Sequence, residues 1–160
     1  EQLLEEYRHV QGLGTTSLRF FNVFGPRQDP RSAYAAAVPI FIAKALHNEP
    51  IGIHGDGDQT RDFIHVTDIV GALAYAGSSK DMSGTYNVGY GQGQSILALA
   101  QEIIRLTGSK SVIEHLPPRA GDVRHSVAST ERILSAGWKP LSSVSSGLAE
   151  TVDYFRQLKA

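Results

Sequence analysis

Apolar residues recur along this chain either three to four apart or in short continuous runs, and the alternation of the two patterns predicts helices interleaved with strands. Leu3, Leu4, Tyr7 and Val10 keep helical spacing and Gly12 follows as a C-terminal cap, so Glu1 to Gln11 reads as a helix. Thr15 to Phe21 (TTSLRFF) is short, β-branched and aromatic with Arg19 its one charged residue, which predicts a strand of a parallel sheet covered on both faces. Asn22 to Ala33 (NVFGPRQDPRSA) carries one Gly and two Pro and is predicted to be an irregular loop at the strand end, where α/β proteins place their ligands.

Val38, Phe41, Ile42, Ala45 and Leu46 form the next helical stripe, followed by a short strand from Ile51 to His54 and a turn at Gly55-Asp56-Gly57-Asp58. Asp62 to His65 reads as another short strand. Thr67 or Asp68 can cap a helix whose buried side would be Ile69, Val70, Leu73 and Ala74. A buried strand is expected at Thr85 to Val88, a helix capped by Ser95 and ended by Gly108, and a strand over Val112 to Leu116. Ser129 or Thr130 starts a short helix and Ser146 a last one. The alternation of strand and helix argues for an α/β fold.

Composition narrows what such a fold can do. Fifteen Lys and Arg against 16 Asp and Glu leave no basic stripe for nucleic acid. With no cysteine there is no disulfide, thiolate metal site or Cys nucleophile. No apolar run reaches the ~20 residues of a membrane span, and no signal peptide opens the chain, so the expected compartment is cytoplasmic. The six histidines lie on different elements with no i, i+4 pair, so no metal site is expected. There is no G-x-S-x-G elbow for covalent hydrolysis.

Two features are compatible with a phosphorylated ligand. Gly89 to Ser95 (GYGQGQS) sits between a strand and a helix, but Gln94 stands where a dinucleotide loop needs its third glycine, so a turn with positive φ at its glycines is the preferred reading. Arg27, Arg61, Arg119 and Arg124 each lie in or beside a loop, and guanidinium is the group suited to bidentate phosphate contact. Each alone could be a solvated or capping cation, and Arg61 with Asp62 a local turn ion pair. Together they make a diphosphate ligand plausible.

RFFNVFGPR (Arg19 to Arg27), GDGDQTRDFIHVTDI (Gly55 to Ile69), TYNVGYG (Thr85 to Gly91) and RAGDVRHS (Arg119 to Ser126) resemble, in order, motifs of the extended short-chain dehydrogenases, the NAD-dependent epimerases and dehydratases of nucleotide sugars. The resemblance implies the last strands of a doubly wound Rossmann-type parallel sheet plus a small α/β substrate-binding lobe. Residues 1–25 would end the Rossmann-type domain, 26–62 begin the lobe, 63–92 return to the sheet, and 93–160 complete the lobe. Family members begin with a Gly-rich NAD loop and a Tyr-x-x-x-Lys helix ending in something like EQLL. Glu1-Gln2-Leu3-Leu4 matches that ending, so the chain reads as the C-terminal half alone, with no catalytic residue of its own and no turnover.

Site roles follow from the same resemblance. Phe20 and Phe21 would present backbone near the nicotinamide of NAD, which the missing half would mainly bind. Asn22 would hydrogen-bond the sugar diphosphate, and Ala36, Ala37 and Val38 would open a helix beneath the phosphates, although many epimerases carry Asn where Ala36 stands. Gly52 and His54 would pair by backbone with the uracil edge, Arg61 and Arg119 hold the diphosphate, and Asp122 the ribose. Ser126 would flank the sugar and leave room for a 2-N-acetyl group. The implied activity is 4-epimerisation of a UDP-sugar, with Ser126 favouring a UDP-N-acetylhexosamine, by transient oxidation at C4 and re-reduction, in a homodimer. The alternatives are a non-catalytic nucleotide-sugar binding module and the same half of a dehydratase or decarboxylase.

Overall fold

A computed structural model describes residues 1–32 and 36–159. The elements run α1 (Gln2–Gln11), β1 (Thr16–Phe20), β2 (Asn22–Phe24), α2 (Ala37–Leu46), β3 (Ile51–His54), β4 (Thr60–Arg61), β5 (Phe63–His65) and α3 (Val66–Ser78). Then come β6 (Gly84–Val88), β7 (Gln94–Ser95), α4 (Ile96–Thr107), β8 (Ile113–Leu116), β9 (His125–Ser126), α5 (Glu131–Ser135) and α6 (Val144–Lys159). β1 pairs with β6, β2 with β5 and β3 with β8, all in parallel, while β4 lies between antiparallel β7 and parallel β9. Parallel pairs joined through helices are the α/β class that the alternation predicted.

Among the described residues two apolar cores hold most of the elements, α1 burying none of its side chains. One gathers α2, β3, α4 and α6 around Phe24, Ile42, Ile51, Ile53, Leu99, Ile103 and Leu148. The other packs α3, β6 and α5 around Ile64, Ile69, Tyr86, Val88, Ile133 and Trp138. In α2 the buried stripe is Val38, Pro39, Phe41, Ile42 and Ala45. Pro39 is tolerated there because N–H groups in a helix's first turn have no intrahelical partner. Ser95 caps α4 by accepting from the Ala98 N–H, and Gly108 ends it at φ 66°. Gly12 ends α1 in the same left-handed conformation at φ 64°.

Several expectations are corrected. Asn22 to Phe24 is strand rather than loop, because β5 offers it a parallel partner in a distant part of the sequence. β1 pairs with β6 alone among the described residues, and Phe20 is 44% exposed. α3 begins at Val66 without a side-chain cap, and it buries Asp68, Ile69 and Ala72. Val70 and Leu73, expected inside, are 59% and 51% exposed. α6 starts two residues before Ser146, where Ser143 and Ser146 each accept the other's backbone N–H through their hydroxyls.

The start of α6 also explains a glycine. A Cβ on Gly147 would lie 2.9–3.1 Å from the buried His65 side chain, so the helix approaches that ring by backbone. Gly147→Ala is expected to destabilise the chain by about 1–3 kcal/mol through overpacking. A urea denaturation midpoint equal to the parent's would show that the ring can move aside.

Candidate functional site

Several predicted residues gather at a cavity between α2, β3 and the segment that follows β8. β3 supplies a wall whose odd-numbered backbone groups are committed, since Ile51 N–H donates to Val112 O and Gly55 N–H to Leu116 O, each at 2.9 Å. Backbone groups alternate sides along a strand, so Gly52 and His54 present theirs to the opposite edge, which no strand covers among the described residues. Gln59 Nε2 donates to His54 O at 2.9 Å. Gly52 N–H, Gly52 C=O and His54 N–H are thereby left as a donor, acceptor and donor in a row. The His54 ring is held by Nδ1, 2.9 Å from Pro117 O.

That edge opens into a space of about 500 Å³, whose lining includes Ala37, Phe41, Lys44, Gly52, His54, Gln59, Arg61, Arg119 and Asp122. α2 enters it by its N-terminus, where Ala36 provides no side-chain cap. Uncapped first-turn N–H groups carry the positive end of the helix dipole and suit an anion. Lys44, Arg61 and Arg119 face it against the single carboxylate of Asp122. Arg61, 17% exposed, forms an ion pair with Asp122, so the alternative of a local turn pair with Asp62 is not what forms. Arg119 has no side-chain partner among the described residues and remains available.

The other two loop arginines do not join them. Arg124 lies in an adjoining space of about 180 Å³ and donates to Asp56 Oδ1 at 2.7 Å; its guanidinium holds the exposed Asp56 carboxyl below the usual carboxylate range. Arg27, left-handed at φ 70°, lines a separate cavity with Tyr154 and Phe155.

Asp62, adjacent to Arg61, fixes the rear of the site. It is fully buried and its two oxygens accept from Tyr90 N–H and Gly91 N–H, both at 2.8 Å, and from Ala128 N–H at 3.1 Å. The glycines of GYGQGQS serve close packing more than a turn, Gly89 and Gly91 against Asp62. Only Gly91 has positive φ, whereas a Cβ on Gly89 would lie 2.6 Å from Asp62 Oδ2 and one on Gly93 3.0 Å from Val127. Tyr90 is tied on its far side, its hydroxyl lying 2.9 Å from Asp68 Oδ2 and also against Ser142 O, with its one proton shared between the two acceptors. Burial, and then the Asp68 carboxylate, hold that hydroxyl well above the usual tyrosine range, so it stays a donor.

The remaining predicted residues lie outside the cavity lining. Asn22 Nδ2 donates to Asp62 O at 3.1 Å, and Phe21 N–H donates to Val88 O at 3.1 Å, which places both beside Phe20 at the C-terminal end of parallel strands. Val38 turns its side chain into the core, so only its backbone could face a ligand. Ser126 pairs with Arg61 across β4 and β9. Sequence reasoning missed Lys44, Gln59 and the fastening role of Asp62. Among the described residues no group of three His, Asp or Glu could hold a metal, and no helix is long and apolar enough to cross a membrane.

Residues 1–89, more than half of the chain, match the NAD-dependent epimerase/dehydratase family. The chain belongs to that family. A UDP-glucose 4-epimerase of Mycolicibacterium smegmatis is 36% identical to this epimerase/dehydratase chain over 157 residues, 98% of the chain and 50% of the relative. Among solved structures, the UDP-glucose 4-epimerase of Thermotoga maritima, determined with UDP-glucose, superposes with a TM-score of 0.93 at 37% identity, covering 99% of this chain and 51% of that one. The UDP-N-acetylglucosamine 4-epimerase of Methanobrevibacter ruminantium, in complex with UDP-N-acetylmuramic acid, gives a TM-score of 0.93 at 38% identity, with coverage of 99% and 51%. The α/β architecture with parallel pairing therefore agrees with the Rossmann-like fold of these epimerases, and the chain spans about half the length of the relatives it matches.

Proposed function

We propose that this chain carries the nucleotide-sugar-binding part of an NAD-dependent UDP-sugar 4-epimerase-like enzyme, with the substrate's diphosphate and nucleoside seated in the cavity between α2 and β3. The observation that carries the reading is convergence: Arg61, Arg119, the uncapped start of α2 and the free edge of β3 all face one space. Guanidinium groups and helix N–H groups suit a pyrophosphate. A donor, acceptor and donor in a row complement the acceptor, donor and acceptor of uracil's O2, N3–H and O4. Asp122, held by Arg61, accepts from ribose hydroxyls, and the small Ser126 side chain leaves room for an N-acetyl group on the sugar.

NAD, when bound, supplies the hydride acceptor for the sugar's C4. Phe20 and Phe21 fit its nicotinamide end, since they lie at the C-terminal end of β1, the side on which open parallel sheets meet their ligands. On this reading the epimerase/dehydratase chain contributes binding energy and orientation, and the complete enzyme is a cytoplasmic homodimer. The 160 residues, purified and supplied with NAD and UDP-galactose or UDP-N-acetylglucosamine, are expected to bind UDP-sugar weakly by calorimetry and to give no epimerised product. Turnover above background would overturn the assignment of chemistry to residues outside this chain. Tight binding without turnover would favour a stand-alone binding module.

A further inference from the structure

Of the charged side chains around the cavity, Lys44 is the one that the diphosphate and ribose assignments leave unused among the described residues. Ala37, Ile40, Phe41 and Lys44 fall at i, i+3, i+4 and i+7 along α2, so they share the face turned to the cavity. At the helical rise, Lys44 lies ~10 Å along the axis from Ala37. An anion seated on the helix start is therefore remote from it, while the far edge of a base extending from that anion along β3 is not. Gly52, at the start of the free backbone edge, lines the same cavity. Lys44 is half-buried, and among the described residues its ammonium makes no ion pair or hydrogen bond.

We propose that Lys44 selects the nucleobase, donating to a ring carbonyl oxygen of the base whose edge pairs with Gly52 and His54. An ammonium offers three donors and no acceptor, so it favours an exocyclic oxygen and opposes an exocyclic amine. The backbone edge alone prefers uracil or thymine over cytosine; Lys44 widens that preference by placing a positive charge beside the group that differs, O4 in uracil and N4–H₂ in cytosine. This inference rests on the nucleotide-sugar reading above.

The test compares binding of UDP, CDP and inorganic pyrophosphate to the 160-residue chain and to its Lys44→Met and Lys44→Arg variants by calorimetry, with thermal melts to confirm folding. UDP is expected to bind the parent at least thirtyfold more tightly than CDP. Lys44→Met should narrow that ratio about tenfold and leave pyrophosphate affinity within twofold, and Lys44→Arg should keep most of the ratio. An unchanged ratio in a folded Lys44→Met variant would overturn the role of Lys44 and leave the nucleotide-sugar reading standing, as would an equal loss for all three ligands, which marks a phosphate contact. A parent that binds UDP no better than pyrophosphate would overturn both.

Discussion

Asp62→Ala is expected to remove about 4 kcal/mol of stability, a large share of the roughly 5–15 kcal/mol that holds a domain of this kind together. The carboxylate is fully buried and accepts three backbone N–H groups, from Tyr90, Gly91 and Ala128. Alanine leaves all three donors inside with no acceptor, at about 1–3 kcal/mol each, and relief of one buried charge offsets only part of that. The loss is larger than for any surface ion pair of the molecule, because those remain screened by water. Asp62→Asn should fall between, since one amide oxygen can still accept while the NH₂ faces a donor. Urea denaturation at neutral pH reads the effect; a loss below about 1 kcal/mol in the alanine variant would mean that water reaches the three amides.

Arg119→Met is expected to weaken UDP binding about thirtyfold, whereas Arg124→Met should change it less than about threefold. The contrast follows from how each guanidinium is already spent. Arg119 faces the cavity without a side-chain partner, so a phosphate gives it its first charge-assisted contact, about 2 kcal/mol, and 1.4 kcal/mol is tenfold in affinity. Arg124 is already engaged by Asp56 and Asp58 in the exposed turn. Arg61 makes a poorer probe, because removing it also leaves Asp122 without its ion-pair partner. Calorimetry with UDP on both variants decides; equal losses would place the diphosphate between the two arginines instead of against α2.

What the sequence made legible was local or carried by motif. The bounds of β3, the Ser95 cap and the αL glycines at positions 12 and 108 depend on neighbours within a few residues, and each formed where expected. Ala37, Gly52, His54, Arg61, Arg119 and Asp122 were singled out and do share one cavity. The failures came from partners far along the chain. β2 exists because Phe63 to His65 lies beside it, and Asp68 caps nothing in its own helix because it takes the N–H groups of Leu141 and Ser142. Asp62 stood in plain view beside Arg61, but its three donors lie 28 to 66 residues away. Lys44 was passed over because it falls between the apolar positions that defined its helix.

Side chains on successive residues of an extended segment point opposite ways, and at positions 61 and 62 the two directions carry opposite chemistry: a cation outward to the cavity, a carboxylate inward to three amides. Gaining or losing a single residue in the short connection after Gly57 would exchange them, driving a guanidinium into the interior and turning a carboxylate toward the cavity. Spacing here is therefore as much a part of the recognition apparatus as residue identity, and this stretch should be among the least forgiving of length changes in the whole polypeptide.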